Sequence, residues 1–178
     1  MAAAPELLTP RLRLRPLSVA DAETMAALMT PGISRWTGSL PGTLSCAQAA
    51  ERLGVIVQAM GAGDDVTLAI ELRAAPGFIG WIGLRRLGET PERAALGYWI
   101  GEAFHGQGYV REAARAFLPA AWGWLDVKVV EAVAQPGNAA SLAILRGLGM
   151  TPMGERMTYS PVRDREEACL VFETQRPA

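Results

Sequence analysis

The chain has 178 residues, with 17 Lys+Arg against 18 Asp+Glu and a formal net charge of -1. Half of it is apolar and a fifth is charged, which excludes a disordered segment and fits one globular unit that buries roughly 70% of its unfolded surface. The balanced charge excludes a protein that grips nucleic acid through a broad basic face, and the longest apolar stretch, residues 117–125, is too short for a bilayer and contains Pro119.

Cys46 and Cys169 lie far apart, and His105 is the single histidine, so no Cys/His metal site can be assembled. Two buried free thiols are expected. Residues 1–10 show no basic segment followed by an apolar one, so no secretion signal is expected. These features predict a soluble, cytoplasmic, single domain over residues 1–178, with no metal, no nucleic acid and no membrane partner.

Residues 7–17 predict a strand, with Leu12 and Leu14 alternating with Arg11, Arg13 and Arg15. The arginines are expected to face solvent; a basic ridge for a phosphate is the alternative. Ser18 predicts the cap of a helix over 19–29, stopped by Pro31 and Gly32. Residues 45–60 predict a second amphipathic helix. Residues 66–72 and 78–84 predict a hairpin around Ala75-Pro76-Gly77. A turn over 89–93 leads to a third strand, 94–100. A helix over 109–124 follows, in which Pro119 is expected to cause a kink or an early end. Residues 127–134 predict a strand, and Asn138 caps a helix to about Leu148. Extended stretches over 151–160 and 167–174 close the chain. This order predicts a mixed α/β fold, with a mostly antiparallel central sheet and helices on both faces.

The segment from Gly101 to Ala113 joins a strand to a helix through Gly106-Gln107-Gly108. Backbone N–H groups at such a turn, with the positive end of the helix dipole, make an anion site. A Walker loop fails for want of Gly-Lys-Ser/Thr, and a Rossmann fingerprint fails because Arg111 stands where its third glycine belongs. Two readings stay open, a pyrophosphate held by backbone alone and a tight turn without a ligand. Asn138 and Ser141, three apart at the next helix start, can face one groove. Strands 94–100 and 127–134, parallel across the crossover helix, would part at their carboxyl ends, where ligands bind.

Gly97-Tyr98-Trp99-Ile100, then Gly106-x-Gly108-Tyr109-x-x-Glu112-Ala113, Asn138-x-x-Ser141 and Leu148-Gly149-Met150 together resemble the GNAT N-acetyltransferase superfamily. The branch they resemble is that of the ribosomal-protein N-terminal acetyltransferases, as does the opening Leu8-Thr9-Pro10-Arg11-Leu12-Arg13-Leu14-Arg15. The pyrophosphate motif Gln/Arg-x-x-Gly-x-Gly/Ala falls on His105 to Val110, departing from it at those two positions. The acid that many relatives carry before Gly-Tyr-Trp is here Ala95.

The resemblance implies acetyl-CoA as cosubstrate and direct acetyl transfer to a primary amine. It implies that Ile100, His105, Gly106, Gln107, Gly108, Tyr109, Val110, Arg111, Asn138 and Ser141 hold the cosubstrate. The strand ending at Ile100 would supply an N–H to the oxyanion and pair with the pantetheine arm. Ser141 would serve the leaving thiolate; plain helix capping is its other role. For the base, Glu102 ranks first, with Glu131, His105 and a water relay behind it. Trp36, Trp81 and Trp99 are candidates for the acceptor pocket wall, although aromatics are more often core. The acceptor would be a peptide N-terminus or a small-molecule amine. The oligomeric state is open, a homodimer included. A non-catalytic acyl-CoA binder of the same fold and a nucleotide-binding module are the rival readings.

Overall fold

The computed structural model describes residues 6–88 and 90–177. Its opening segment is a short hairpin, β1 (Leu7–Leu8) and β2 (Leu12–Pro16), where a single strand over 7–17 was expected. Pro10 has no N–H for a ladder, and Thr9 closes the turn onto Leu12: its N–H donates to the Leu12 carbonyl and its Oγ1 accepts from the Leu12 N–H, both at 2.9 Å. Leu12 and Leu14 are buried. Arg13 and Arg15, on the opposite face, meet carboxylates. Arg15 reaches Asp21 at 2.6 Å and Glu71 at 2.8 Å, and Arg13 reaches Glu6 at 2.8 Å. They fasten strands together and make no phosphate ridge.

Ser18 caps as expected, but the first turn is a 3-10 turn over Val19–Asp21, and α1 covers Ala22–Leu28 only. The Asp21 carboxylate accepts from the Ser18 N–H at 3.0 Å and from Arg15, which tightens that turn. Pro31 was expected only to stop this helix. It also opens a one-turn helix, α2 (Pro31–Ser34), because its missing N–H is no loss at the first helical position. Helix α3 (Cys46–Ala62) starts on a Ser45/Gln48 capping box and ends at Gly63, whose φ of 85° is left-handed. Cys46, at its first position, is exposed and not buried as expected; Cys169 is buried.

Strands β3 (Asp65–Leu72), β4 (Phe78–Leu87) and β5 (Thr90–Ile100) form an antiparallel meander. The turn expected over 89–93 is mostly strand, since the ladder continues to the Leu87–Thr90 pair; Glu89 lies outside the described residues. Then come α4 (Tyr109–Leu125), β6 (Val129–Ala134), α5 (Ala139–Gly147), β7 (Thr151–Ser160) and β8 (Arg165–Gln175). Pro119 does not shorten α4. It lies on the exposed side, where water can serve the carbonyl that its missing N–H leaves.

The eight strands form one sheet in the order β1-β2-β3-β4-β5-β6-β8-β7, and among the described residues only β5 and β6 pair in parallel. One core lies under α4 and α5, around Phe117, Leu68, Ile82, Leu145 and Phe172. A second lies under α1 to α3, around Met25, Leu53, Phe78 and Trp99. None of the described helices is long and apolar enough to cross a membrane.

Candidate functional site

Strands β5 and β6 pair at Arg93–Val129, Ala94–Val130 and Ala95–Glu131, and then diverge. Residues 96–100 of β5 have no ladder partner on the β6 side, so a gap opens through the sheet toward the strand ends. Leu96, Tyr98 and Ile100 pack with the α4–α5 core, and Trp99 packs with the α1–α3 core. Tyr98 Oη and Ser141 Oγ stand 2.8 Å apart, which links β5 to the first turn of α5. Burial pushes the Tyr98 phenol up to about 12, the Ser141 contact pulling the other way, so Tyr98 keeps its proton at neutral pH. Asn138 caps α5 by accepting the Ser141 N–H on Oδ1 at 3.1 Å.

Beyond Ile100 the chain makes a 3-10 turn over Glu102–Phe104 and then the glycine loop. His105 Nε2 lies 2.9 Å from the Ile100 carbonyl, so that nitrogen carries the proton of the bond. Gln107 Nε2 donates to the Ala103 carbonyl at 3.2 Å. Gly106 and Gly108 take φ of 73° and 78°, left-handed values that favour glycine. A Cβ at Gly106 would meet no atom within 4 Å, so the backbone there is open to a ligand. The Val110 side chain packs against the core, away from the loop surface. The first N–H groups of α4 have no intrahelical acceptor. A backbone cradle of this kind fits a polyphosphate.

The loop is braced from far away in sequence. Arg11 Nη1 donates to the Gln107 carbonyl at 2.9 Å, its Nε pairs with Glu112 at 2.6 Å, and its guanidinium lies 4.6 Å over the Tyr109 ring. Thr9 Oγ1 donates to the same carboxylate at 2.6 Å. Burial would raise the Glu112 carboxyl, but the bonds from Thr9 and Arg11 outweigh it and hold it below the ordinary range. A groove of about 640 Å³ runs beside this brace, with Arg111 and Arg115 on its helix wall.

The acetyltransferase (GNAT) domain profile matches residues 11–151. The chain belongs to the GNAT acetyltransferase family. It is similar to the uncharacterized N-acetyltransferase p20 of Bacillus licheniformis, 24% identical over 160 residues and 89% of each chain. Two solved structures share its fold at low identity. The ribosomal-protein-S5-alanine acetyltransferase of Vibrio fischeri has a TM-score of 0.79 at 16% identity, covering 96% of each chain. RimL, a ribosomal L7/L12 alpha-N-protein acetyltransferase solved in complex with coenzyme A, has a TM-score of 0.79 at 16% identity, covering 95% of this chain and 96% of its own. Family membership makes the chain an acyltransferase.

For a GNAT acyltransferase the base candidates are widely placed. Glu102 accepts from Thr30 Oγ1 at 2.8 Å and lies against Gly32 of α2, on the loop side of the gap. Glu131 stands at the foot of the gap, in register with Ala95, and is buried. It is bound by Arg156 through both guanidinium nitrogens, and by Arg93 at 3.5 Å. The Arg156 bonds hold its carboxyl below the ordinary range despite its burial. The Trp81 ring lies 3.4 Å from the Cβ position of Gly97, and the Trp36 ring lies 3.4 Å from that of Gly137. Trp36 therefore stands beside the start of α5, whereas Trp81 and Trp99 belong to the α1–α3 core.

Sequence reasoning missed the fastening between the segment after α2 and the β7–β8 hairpin. Arg163 donates to the Ser34 and Thr37 carbonyls at 2.8 and 3.1 Å and pairs with Glu167 at 2.6 Å. Gln135 Nε2 joins the Arg35 carbonyl to Glu167, at 3.2 and 2.9 Å. Arg163 at i,i+4 from Glu167 is visible in the sequence, but these residues lie in a hairpin turn where that spacing carries no helical meaning.

The Arg163 hydrogen bonds, with Arg165 adding and burial opposing, bring the Glu167 carboxyl down to about 2. A carboxylate shifted below its unfolded value of about 4.3 stabilises the fold above that pH, and the contribution is lost as pH falls through the folded value. The melting temperature should therefore decline between about pH 4.5 and 2. Glu167→Gln should melt lower near neutrality and decline less steeply over that interval. Parallel curves for the two proteins would show that Glu167 carries no such coupling.

Proposed function

We propose that the protein moves the acetyl group of acetyl-CoA to a primary amine of low basicity, foremost a peptide α-amine, by direct attack in a ternary complex. The observation that carries this reading is the gap between β5 and β6, spanned by Tyr98 and Ser141 and ended by the open glycine loop. In this reading the loop from His105 to Arg111 takes the pyrophosphate on backbone N–H groups, with Gly106, Gln107, Gly108, Tyr109 and Val110 forming the cradle. The pantetheine arm pairs with the free side of β5 up to Ile100, and Asn138 holds the start of α5 against it.

The amine nitrogen attacks the thioester carbon, a C–N bond forms and the C–S bond breaks. The oxyanion is met by a β5 backbone N–H. The thiolate takes its proton from Ser141, which is hydrogen-bonded to the Tyr98 hydroxyl 2.8 Å away, and the proton released by the ammonium returns to Ser141 through water. The ammonium proton passes to water or to a carboxylate. Glu131 is held ionised by Arg156 and is a weak base, and Glu102 is tied to Thr30. A site without a strong base favours an amine that is already neutral. An α-amine titrates near 8 and a lysine side chain near about 10.4, so only the first is appreciably neutral at pH 7. The names of the two structural relatives, a ribosomal-protein-S5-alanine acetyltransferase and a ribosomal L7/L12 alpha-N-protein acetyltransferase, agree with this acceptor class.

Three measurements check this reading. Gly108→Val forces a branched side chain into a left-handed position and should weaken CoA binding by about 1–3 kcal/mol by calorimetry; unchanged affinity in a folded variant excludes the loop. Ser141→Ala should lower kcat more than it raises KM for acetyl-CoA, because its bond strengthens as the thiolate forms. A kcat within about twofold of the parent leaves Ser141 as a cap alone. Thiol release from matched peptides should be faster with α-amines than with ε-amines at pH 7, and should climb toward about pH 8–9. An ε-amine preference at pH 7 would point to a competent base, and thiol release that never depends on an amine would leave only an acyl-CoA binder.

A further inference from the structure

Of the 17 Lys and Arg side chains, three have no hydrogen bond, ion pair or ring contact among the described residues: Arg111, Arg115 and Arg146. Arg146 stands in the last turn of α5, where a positive charge complements the negative end of the helix dipole. Arg111 and Arg115 have no such reason. They lie one turn apart on α4 and line the groove of about 640 Å³ beside the glycine loop. We propose that they form a site for a phosphate monoester, the 3′-phosphate on the ribose of CoA, and that the protein thereby selects CoA over the same molecule without that phosphate. The inference rests on the acetyl-CoA reading above and adds a specificity that the glycine loop does not supply.

Arg111 lies in the first turn of α4, at the positive end of the helix dipole, where a carboxylate is favoured and a guanidinium is not. Arg111 and Arg115 are also like charges at i,i+4, which repel on a helix surface. Both penalties are relieved when an anion lies between the two guanidinium groups. Glu112, the carboxylate that lines the groove, does not fill that role. Its Oε1 accepts from Thr9 Oγ1 at 2.6 Å and from the Arg11 N–H at 2.9 Å, and its Oε2 accepts from Arg11 Nε at 2.6 Å. Arg11 is neutralised in the same contact. The charges of Arg111 and Arg115 are left over. A phosphate monoester, with a second pKa near about 6, carries close to two negative charges at pH 7 and balances them.

The placement fits this ligand. Residues 105–110 carry no Lys or Arg, so the glycine loop answers for the two bridged phosphates of CoA through backbone N–H groups alone. The third phosphate stands on the ribose, one sugar away from that pyrophosphate. Arg111 and Arg115 continue from the loop along the first two turns of α4. Gly147 of α5 leaves room beside Arg111, since a Cβ there would stand 3.9 Å from Arg111 Nε. The volume of the groove lies within the roughly 300–1,000 Å³ of sites that take small molecules, so a nucleoside fits beside the two arginines. Guanidinium groups meet phosphate oxygens with paired N–H donors. Both side chains are exposed and unpaired, so no protein contact has to break before the phosphate binds.

The test compares CoA with 3′-dephospho-CoA by calorimetry at one ionic strength. The parent protein should bind CoA about tenfold tighter. Arg115→Met, which keeps an unbranched stem and removes the charge, should cut that ratio by about threefold. Arg111→Met combined with Arg115→Met should bring it within about twofold of one. With Arg115→Met the loss should fall on CoA and not on 3′-dephospho-CoA, whereas a general disturbance of the helix would weaken both alike. Arg115→Lys, which keeps a charge but not the paired donors, should fall between the parent and Arg115→Met. An unchanged melting temperature checks that each variant is folded. A parent ratio within about twofold of one, or a ratio that the double variant leaves unchanged, overturns the proposal and leaves the acetyl-CoA reading standing. Failure of the parent to bind either compound overturns both.

Discussion

The parallel seam between β5 and β6 holds for three residue pairs and then fails, and the site is built on that failure. Each strand has a stronger commitment elsewhere. Strand β5 pairs antiparallel with β4 from Thr90 to Ile100, and β6 pairs antiparallel with β8 over its whole length. Sheet twist accumulates from strand to strand, so two antiparallel blocks that share one short parallel seam rotate apart along it. The separation leaves half a ladder open on β5. It also turns two helix starts, those of α4 and α5, toward one opening.

That architecture was largely legible in the sequence. Apolar periodicity placed the long helices and strands, and turn glycines and cap spacing placed the glycine loop and Asn138 with Ser141. The misreadings share a cause. Residues 7–17 alternate as a strand should, yet Thr9 spends its hydrogen bonds on a turn and Pro10 has no N–H for a ladder. Pro31 looked like a stop and is a start, because position along a helix decides what a missing N–H costs. Pro119 looked like an early end and lies inside the helix, because exposure was not readable from spacing. In each case local chemistry was read correctly and its position relative to solvent or cap was not.

The side chains around the opening were the least legible part. Gln135, Arg163 and Glu167 meet across 28 or more residues of chain, or within a tight hairpin, and no spacing rule links them. Arg11 and Glu112 are 101 positions apart, although both stand inside motifs that the resemblance quotes. The resemblance gives the backbone and a few capping residues. Ion pairs that stiffen loops are solved anew in each chain, since an exposed guanidinium finds a carboxylate in many geometries.

A gap that passes through a sheet has two mouths. The Tyr98–Ser141 contact lies at the one facing α4 and α5, and Glu131 and Val133 flank the other. Two molecules that meet in such a passage arrive from opposite half-spaces, so neither has to vacate a path for its counterpart. In the proposed reaction, the acyl donor would be exchanged while an acceptor stays docked. A single conjugate joining both would have to thread the plane of the strands, as a bolt passes through a plate.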